Sequence, residues 1–255
     1  MVAAALEERI VFTAPARRLR LALALEVLER HAGQRRIRIL DAGCGDGLLT
    51  LAIAMRHPSW SVVGIDLRDD MLDGARQRAR ARSLSNVKFE CADLTAPLPV
   101  SGVDAVLALE CLTEIPDDAR ALRTMVAALA PEGLLVVQVP DRFWRPVLPG
   151  SAATWREEVR HGYCAEELAA ALRGAGLVEI DVRPTFQTTA VVAQELRDRI
   201  KGAPLAVRAL ASPAMVGAVR LELRGFTWGR AHALLAVARR SSSAPSGQPL
   251  AEPFS

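Results

Sequence analysis

The stretch Ile39–Ala54, ILDAGCGDGLLTLAIA, decides the fold. Ahead of its turn, IRIL at 37–40 reads as a short buried strand; behind it, Leu48–Arg56 places apolar groups at helical spacing. Between them Gly43, Gly45 and Gly47 stand at every second position, with Asp41 two residues before the first and Asp46 inside the turn. A glycine-rich turn from strand to helix lies at the carboxyl edge of a parallel sheet, where open α/β folds bind ligands. The spacing is not that of a dinucleotide site. Counted from Gly43, G-x-G-x-x-G requires a small residue at 48, where this chain has Leu48. Carboxylates at 41 and 46 also repel a pyrophosphate drawn to the helix N-terminus. The turn calls for a nucleoside-like ligand without a phosphate chain, one that can carry positive charge.

Outward from this turn, strand-like runs at Ser61–Ile65, Val87–Glu90, Val103–Leu109, Leu134–Val139 and Leu177–Val182 alternate with helical patterns at Asp70–Arg82, Asp117–Leu129 and Ala165–Ala175. A helix at 16–31 precedes the first strand, and His232–Arg240 reads as the last one. Such alternation implies a mainly parallel sheet covered on both faces. Two further acids fall at strand ends. Asp66 closes the second strand about twenty residues after the turn, where a carboxylate accepts from ribose hydroxyls. Asp93 follows the third strand and can accept from an adenine amino group, with Leu67, Met71 and Leu94 packing on the base.

The 255 residues allow one α/β domain with an added element. Half are hydrophobic and a quarter charged, an ordinary globular balance. The net charge of +3 rests on arginine, because Lys88 and Lys201 are the only lysines. No apolar run reaches the roughly 18 residues of a membrane span, and Glu7, Glu8 and Arg9 interrupt the N-terminus where a signal peptide is apolar; the expectation is a cytoplasmic protein without stable membrane insertion. Cys44, Cys91, Cys111 and Cys164 form no C-x-x-C pair, so no metal is expected.

Taken together, DAGCGDG at 41–47, GIDLRDDML at 64–72, CADL at 91–94 and the run from Leu107 to Pro140 resemble the class I S-adenosylmethionine-dependent methyltransferases, in particular the small-molecule branch of ubiquinone and menaquinone methylases. The resemblance covers about residues 37–180 and the last strand. It implies an α/β, Rossmann-like class I methyltransferase fold: a mainly parallel seven-stranded sheet, helices on both faces and a helical insertion before the last strand. It further implies S-adenosyl-L-methionine as cofactor, held by Asp41, Gly43, Cys44, Gly45, Gly47, Asp66, Leu67, Met71, Ala92, Asp93, Leu94 and Glu110, with Gly43 and Gly45 admitting it to the backbone and Glu110 near its methionine portion. The domain is expected over 1–240, and the Ser/Pro-rich tail 241–255 to be disordered. Two positions depart from the family pattern: Glu114 stands where a His is usual after the fourth strand, and Cys164 where a Ser or Thr caps the helix before Glu166.

The expected reaction is methyl transfer to a small-molecule acceptor, most simply an oxygen, with carbon and nitrogen as alternatives. A nucleic-acid methyltransferase fits less well: the Asn/Asp-Pro-Pro-Tyr motif is missing after the fourth strand and the chain is poor in aromatics. A non-catalytic cofactor-binding protein and an NAD-dependent oxidoreductase complete the field. His161, before the helix that follows the fifth strand, is the candidate base. Tyr163 is a candidate for orienting a substrate or for covering the core, and Glu110 a candidate cofactor contact or base. Asp141 is read as an arginine partner rather than a metal ligand. Phe143, Trp144 and Trp155 are candidates for an aromatic wall or a lid. Residues 190–225, apolar and basic by turns, are expected to form short helices broken at Pro204 and Pro213, serving as pocket roof or homodimer contact.

Overall fold

The computed structural model describes residues 14–151, 159–226 and 228–242. The elements run α1 (Pro15–Ala32), β1 (Arg38–Ala42), α2 (Leu48–Arg56), β2 (Ser61–Asp66), α3 (Asp69–Ala81), β3 (Val87–Cys91), β4 (Val103–Leu109), α4 (Asp118–Ala128), β5 (Leu129–Pro140), α5 (Ala165–Gly174), β6 (Leu177–Thr185), α6 (Thr188–Arg199), α7 (Leu205–Leu223) and β7 (Ala233–Arg240), with a 3-10 turn at Leu112–Glu114 after β4. The strands form one sheet in the order β3-β2-β1-β4-β5-β7-β6, parallel except that β7 runs antiparallel to both neighbours.

Side chains alternate across a strand, and here both directions lead into a core. Ile39, Leu107 and Val136 enter one cluster with α1, α2 and α3; Leu40, Val106 and Val137 enter the other with α4 and α5. This two-sided burial explains why the central strands read as unbroken apolar runs. It also sets their length: each apolar run stops at the carboxyl edge, where Asp66 follows β2's Ile65 and Glu110 follows β4's Leu109. Strand order reverses between β1 and β4, so the crevice of the fold opens at the end of β1, where the glycine turn lies.

At the helix after β5, Cys164 replaces the usual hydroxyl cap, but Glu167 reaches back to accept its backbone N–H at 3.1 Å. With the Cys164 sulfur accepting in turn from the Glu167 backbone, the capping box is retained. The insertion contains two helices, not several short ones. Pro204 does stand at the N-cap of α7, as expected, whereas Pro213 lies inside the helix without ending it. A buried Met215 and Val219 anchor the following turns, and their packing outweighs the amide that proline lacks. The tail residues 243–255 lie outside the described residues.

Because Pro213 removes one hydrogen bond from the middle of a 19-residue helix, Pro213→Ala is expected to stabilise the fold by about 1–3 kcal/mol. Urea denaturation followed by circular dichroism measures it; unchanged or lower stability contradicts a continuous helix.

Candidate active site

The glycine turn is shaped by its neighbours. Gly43, Gly45 and Gly47 all have left-handed backbones, with φ of +72°, +56° and +69°. A Cβ on Gly43 would meet the Cys111 Cβ at 2.4 Å, and one on Gly47 would meet Ala75 and Phe89, so these two are glycines also for packing. Gly45 has nothing within 4 Å and faces open space. Gly43 lines both cavities beside the turn although Cys111 fills the space a side chain would need there, and Gly45 is the position with open space around it.

Asp66 organises the turn. Its Oδ2 accepts the Gly45 N–H at 2.7 Å and its Oδ1 the Arg68 N–H at 3.0 Å. The Ile65 carbonyl accepts the amides of Gly43 and Cys44. Asp41 is buried, and its Oδ2 accepts the Thr50 hydroxyl at 2.6 Å. Desolvation pushes its carboxyl up to about 6, with the negative charges of Asp66 and Asp46 adding to the rise. Burial likewise raises the Cys44 thiol, so it lines the turn as a neutral group. Asp46 pairs with Arg17 of α1 at 2.8 Å, closing the N-terminal helix over the turn.

Two adjoining chambers result. One, of about 380 Å³, lies between the turn and α1 and is lined by Asp41, Gly45, Met71 and Arg20 among others. The other, of about 290 Å³, is lined by Asp66, Leu67, Ala92, Asp93 and Leu94. The residues selected for the cofactor therefore line these two chambers, except that Gly47 lines neither and packs on Ala75 and Phe89, and that Met71 faces the first chamber and not the one that holds Leu67 and Leu94. The Asp93 Oδ1 accepts both the amide and the hydroxyl of Thr95 at 2.8 Å, and these bonds hold its carboxyl below the usual range.

A third cavity, of about 250 Å³, lies beyond the second turn of α1. Trp144, Phe186 and Val191 form apolar walls, and Glu195 and His232 enter it from α6 and from the residue before β7. Glu110 lines all three spaces. Its backbone is left-handed at φ +69°, its carboxyl is raised by burial, and its Oε1 lies 3.4 Å from Arg20. Both the Glu110 Oε2 and the Arg20 Nε are buried without a hydrogen-bond partner among the described residues.

Other expectations move. Gly162 turns at φ +105° against the Pro140 carbonyl, carrying Tyr163 into the core and leaving His161 exposed. Tyr163 is fully buried, its hydroxyl donates to Asp118 and the Arg160 guanidinium covers its ring at 3.9 Å, so it covers the core and does not orient a substrate. His161 lines none of the three cavities. Asp141 closes a turn by accepting the Phe143 N–H at 2.7 Å, while Arg142 pairs with Glu167 instead. Phe143 is exposed, Trp144 is a wall of the third cavity, and Trp155 lies outside the described residues. Among the described residues no three His, Cys, Asp or Glu gather as metal ligands.

His232, Arg20 and Glu195 were not legible as site residues. The His232 ring is buried, meets Trp144 edge-on at 6.0 Å between centroids, and its Nδ1 has no hydrogen-bond partner among the described residues. Burial lowers its pKa, against the pull of Glu195 and Asp141. The Glu195 carboxylate accepts the amides of Val147 and Leu148, at 2.9 and 2.7 Å, tying α6 to the loop after β5.

Residues 39–133 match the family model described as methyltransferase domain. Over this segment the chain is similar to methyltransferase domains. Among curated proteins, the chain is 33% identical to a trans-aconitate 2-methyltransferase of Variovorax paradoxus over 142 residues, 53% of either chain. It is 33% identical to a ubiquinone biosynthesis O-methyltransferase of Neisseria meningitidis over 116 residues, 44% of this chain and 48% of the other. The chain thus spans about half the length of the curated relatives it matches. The crystal structure of the [4+2]-cyclase SpnF superposes with a TM-score of 0.61 at 24% identity, over 86% of this chain and 80% of the other. A Haemonchus contortus phosphoethanolamine N-methyltransferase 2, solved with S-adenosyl-L-methionine, also gives 0.61, at 20% identity over 85% and 52%. At these identities the structural likeness concerns the fold, and it establishes the Rossmann-like methyltransferase fold with a seven-stranded sheet.

The raised carboxyl of Asp41 has a sign that can be tested. A carboxyl whose folded pKa exceeds its unfolded value favours the fold below the unfolded pKa, and that contribution is lost as pH rises through the folded value, about 6 here. Asp41→Asn is therefore expected to stabilise the ligand-free protein above pH 6, by about 1–3 kcal/mol, with the gain vanishing below pH 4. Urea midpoints across pH 3.5–8 measure it; a gain independent of pH contradicts a strained Asp41 charge.

Proposed function

We propose that the protein transfers a methyl group from S-adenosyl-L-methionine to an oxygen of a small apolar acceptor in a biosynthetic pathway. The observation that carries this reading is the position of Glu110, shared between the glycine-turn chambers and the Trp144/His232 cavity. A nucleoside cleft and a separate acceptor cavity thereby meet at the Glu110–Arg20 pair.

The residues present fit the cofactor. Asp66 keeps lone pairs free for ribose hydroxyls although each oxygen already accepts one amide. Asp93, with Ala92, Leu67 and Leu94 beside it, serves the adenine. At the junction, the orphaned Glu110 Oε2 suits an ammonium and the orphaned Arg20 Nε a carboxylate, the two charges of an amino acid group. Asp41 and Asp46 favour a cation over a phosphate chain. When bound, S-adenosyl-L-methionine supplies a methyl carbon already activated by a sulfonium. What remains for the chain is to orient the nucleophile, shed water and accept its proton.

The third cavity meets those needs. Trp144, Phe186 and Val191 exclude water around an apolar acceptor, and α6 roofs them through Val191 and Glu195. The insertion thus acts as roof through its first helix. His232 replaces His161 as the proposed base: its imidazole is the buried titratable ring in this cavity, and burial favours its neutral form. An oxygen acceptor has a proton to lose, consistent with the O-methyltransferase name of the Neisseria relative.

Titration calorimetry with S-adenosylhomocysteine tests the cofactor site. Asp66→Ala, folded by circular dichroism, is expected to lose about 1.5–3 kcal/mol of affinity, roughly 10- to 100-fold; unchanged affinity removes Asp66 from the site. A labelled-methyl screen of phenols, enols and carboxylic acids tests the reaction. With the acceptor found, His232→Gln is expected to lower kcat at least about tenfold while S-adenosylhomocysteine affinity stays within twofold. The wild-type rate should rise with pH below about 6.5, because deprotonation creates the base, and this limb should be absent from the variant. A full-speed variant returns His232 to a wall role.

A further inference from the structure

The second insertion helix, α7, has an outward face that no described residue covers. Met215 and Val219 are buried against the body. At 100° per residue, Val207, Leu210, Ala214, Gly217 and Leu221 fall together on the opposite side. On that stripe Leu210 is 85% exposed, and Val207 and Leu221 are about half exposed. The helix then closes in a Schellman motif: Gly225, at φ +85°, donates to the Glu222 carbonyl at 2.9 Å, and Phe226 donates to the Leu221 carbonyl at 3.0 Å. The closure folds Phe226 back beside the last turn. Two residues on, the Trp228 carbonyl accepts the Thr188 amide at 3.2 Å, which fixes the backbone and leaves the indole 61% exposed.

The charge around this apolar strip has one sign. Arg220, Arg224 and Arg230 are exposed and have no acidic partner among the described residues. Glu222, the acid between them, is turned inward to accept the Gln187 amide at 2.9 Å. An exposed apolar helix face followed within a few residues by two exposed aromatics, with exposed arginines among them, exceeds what a solvated helix needs. No described helix is long and apolar enough to cross a membrane, so an occupant would be met in the plane of its surface.

The geometry points to an anionic lipid surface as that occupant. Helix α7 lies along the headgroups, with Leu210, Leu221, Phe226 and Trp228 entering the acyl boundary and Arg220, Arg224 and Arg230 meeting the lipid phosphates. A twofold contact with a second copy matches less well, because an isologous interface sets the same uncompensated arginines against each other. The binding is reversible and carried by one helix end, distinct from stable insertion. It is independent of the methyl-transfer reading, although α6, the roof of the acceptor cavity, belongs to the same insertion.

Vesicle flotation of the full chain tests it, comparing equal mixtures of phosphatidylcholine and phosphatidylglycerol with phosphatidylcholine alone. The wild type is expected to float with the anionic vesicles at least about tenfold better, and the preference should fade at high salt. Phe226→Ser with Trp228→Ser, and separately Arg220→Glu with Arg224→Glu, should each weaken flotation at least about tenfold without altering circular dichroism or S-adenosylhomocysteine affinity. A blue shift of tryptophan emission on vesicle addition should vanish in Trp228→Phe. Absence of flotation, equal flotation with both vesicles, or undiminished flotation of either folded double variant overturns the proposal. A dimer by light scattering that the Phe226/Trp228 variant dissolves, without vesicle binding by the wild type, assigns the face to a second copy and overturns it equally.

Discussion

The hydrogen bond from the Gly45 amide to the Asp66 carboxylate, 2.7 Å long, joins the end of β2 to the turn after β1. The geometry of the cleft depends on it. The amide is aimed at that carboxylate from a left-handed backbone, at φ +56°, which glycine adopts without strain. The Ile65 carbonyl, accepting two amides from the other side of the turn, holds the loop against the same strand. The result is a rigid bent backbone whose open position faces the cleft, with no side chain at 45 to fill it.

That arrangement concentrates negative charge. Asp41 and Glu110 are both raised by burial, and Asp66 ends the strand on the other side of Asp41's β1. Such a cluster is costly unless cations or donors answer it. Helix α1 provides part of the answer: Arg17 reaches Asp46, and Arg20 reaches Glu110 while lying 5.6 Å from the Phe186 ring centre. The N-terminal helix therefore belongs to the site and is not merely a cover for the sheet. Arg20 also touches both the turn chamber and the Trp144/His232 cavity.

A fold shared with a chain named as a [4+2]-cyclase shows why the reaction has to be argued from the site. The sheet and its crevice supply a ligand-binding edge. The third cavity, assembled from α1, the loop after β5, α6 and the start of β7, supplies what distinguishes one chemistry from another. Those elements are also the ones whose sequence is least regular.

The alternation of apolar runs with helical patterns determined the sheet, because a strand buried on both faces must be apolar along its whole length. Val103–Leu109 and Leu48–Arg56 were legible to the residue. The glycine turn after β1 and the placement of Asp66 and Asp93 at the ends of β2 and β3 were legible too, since closely spaced glycines break the strand and the acids end apolar runs. Beyond this local chemistry the sequence is silent. It could not show that Tyr163 points inward and His161 outward, because a single peptide geometry at Gly162 decides both. It could not show that Pro213 rides inside a helix, since packing at Met215 and Val219 outweighs a local rule. Nor could it bring His232 to Trp144, or Arg20 to Glu110 across 90 positions of chain. Contacts between distant residues depend on how helices settle on the sheet, and only the tertiary structure decides that.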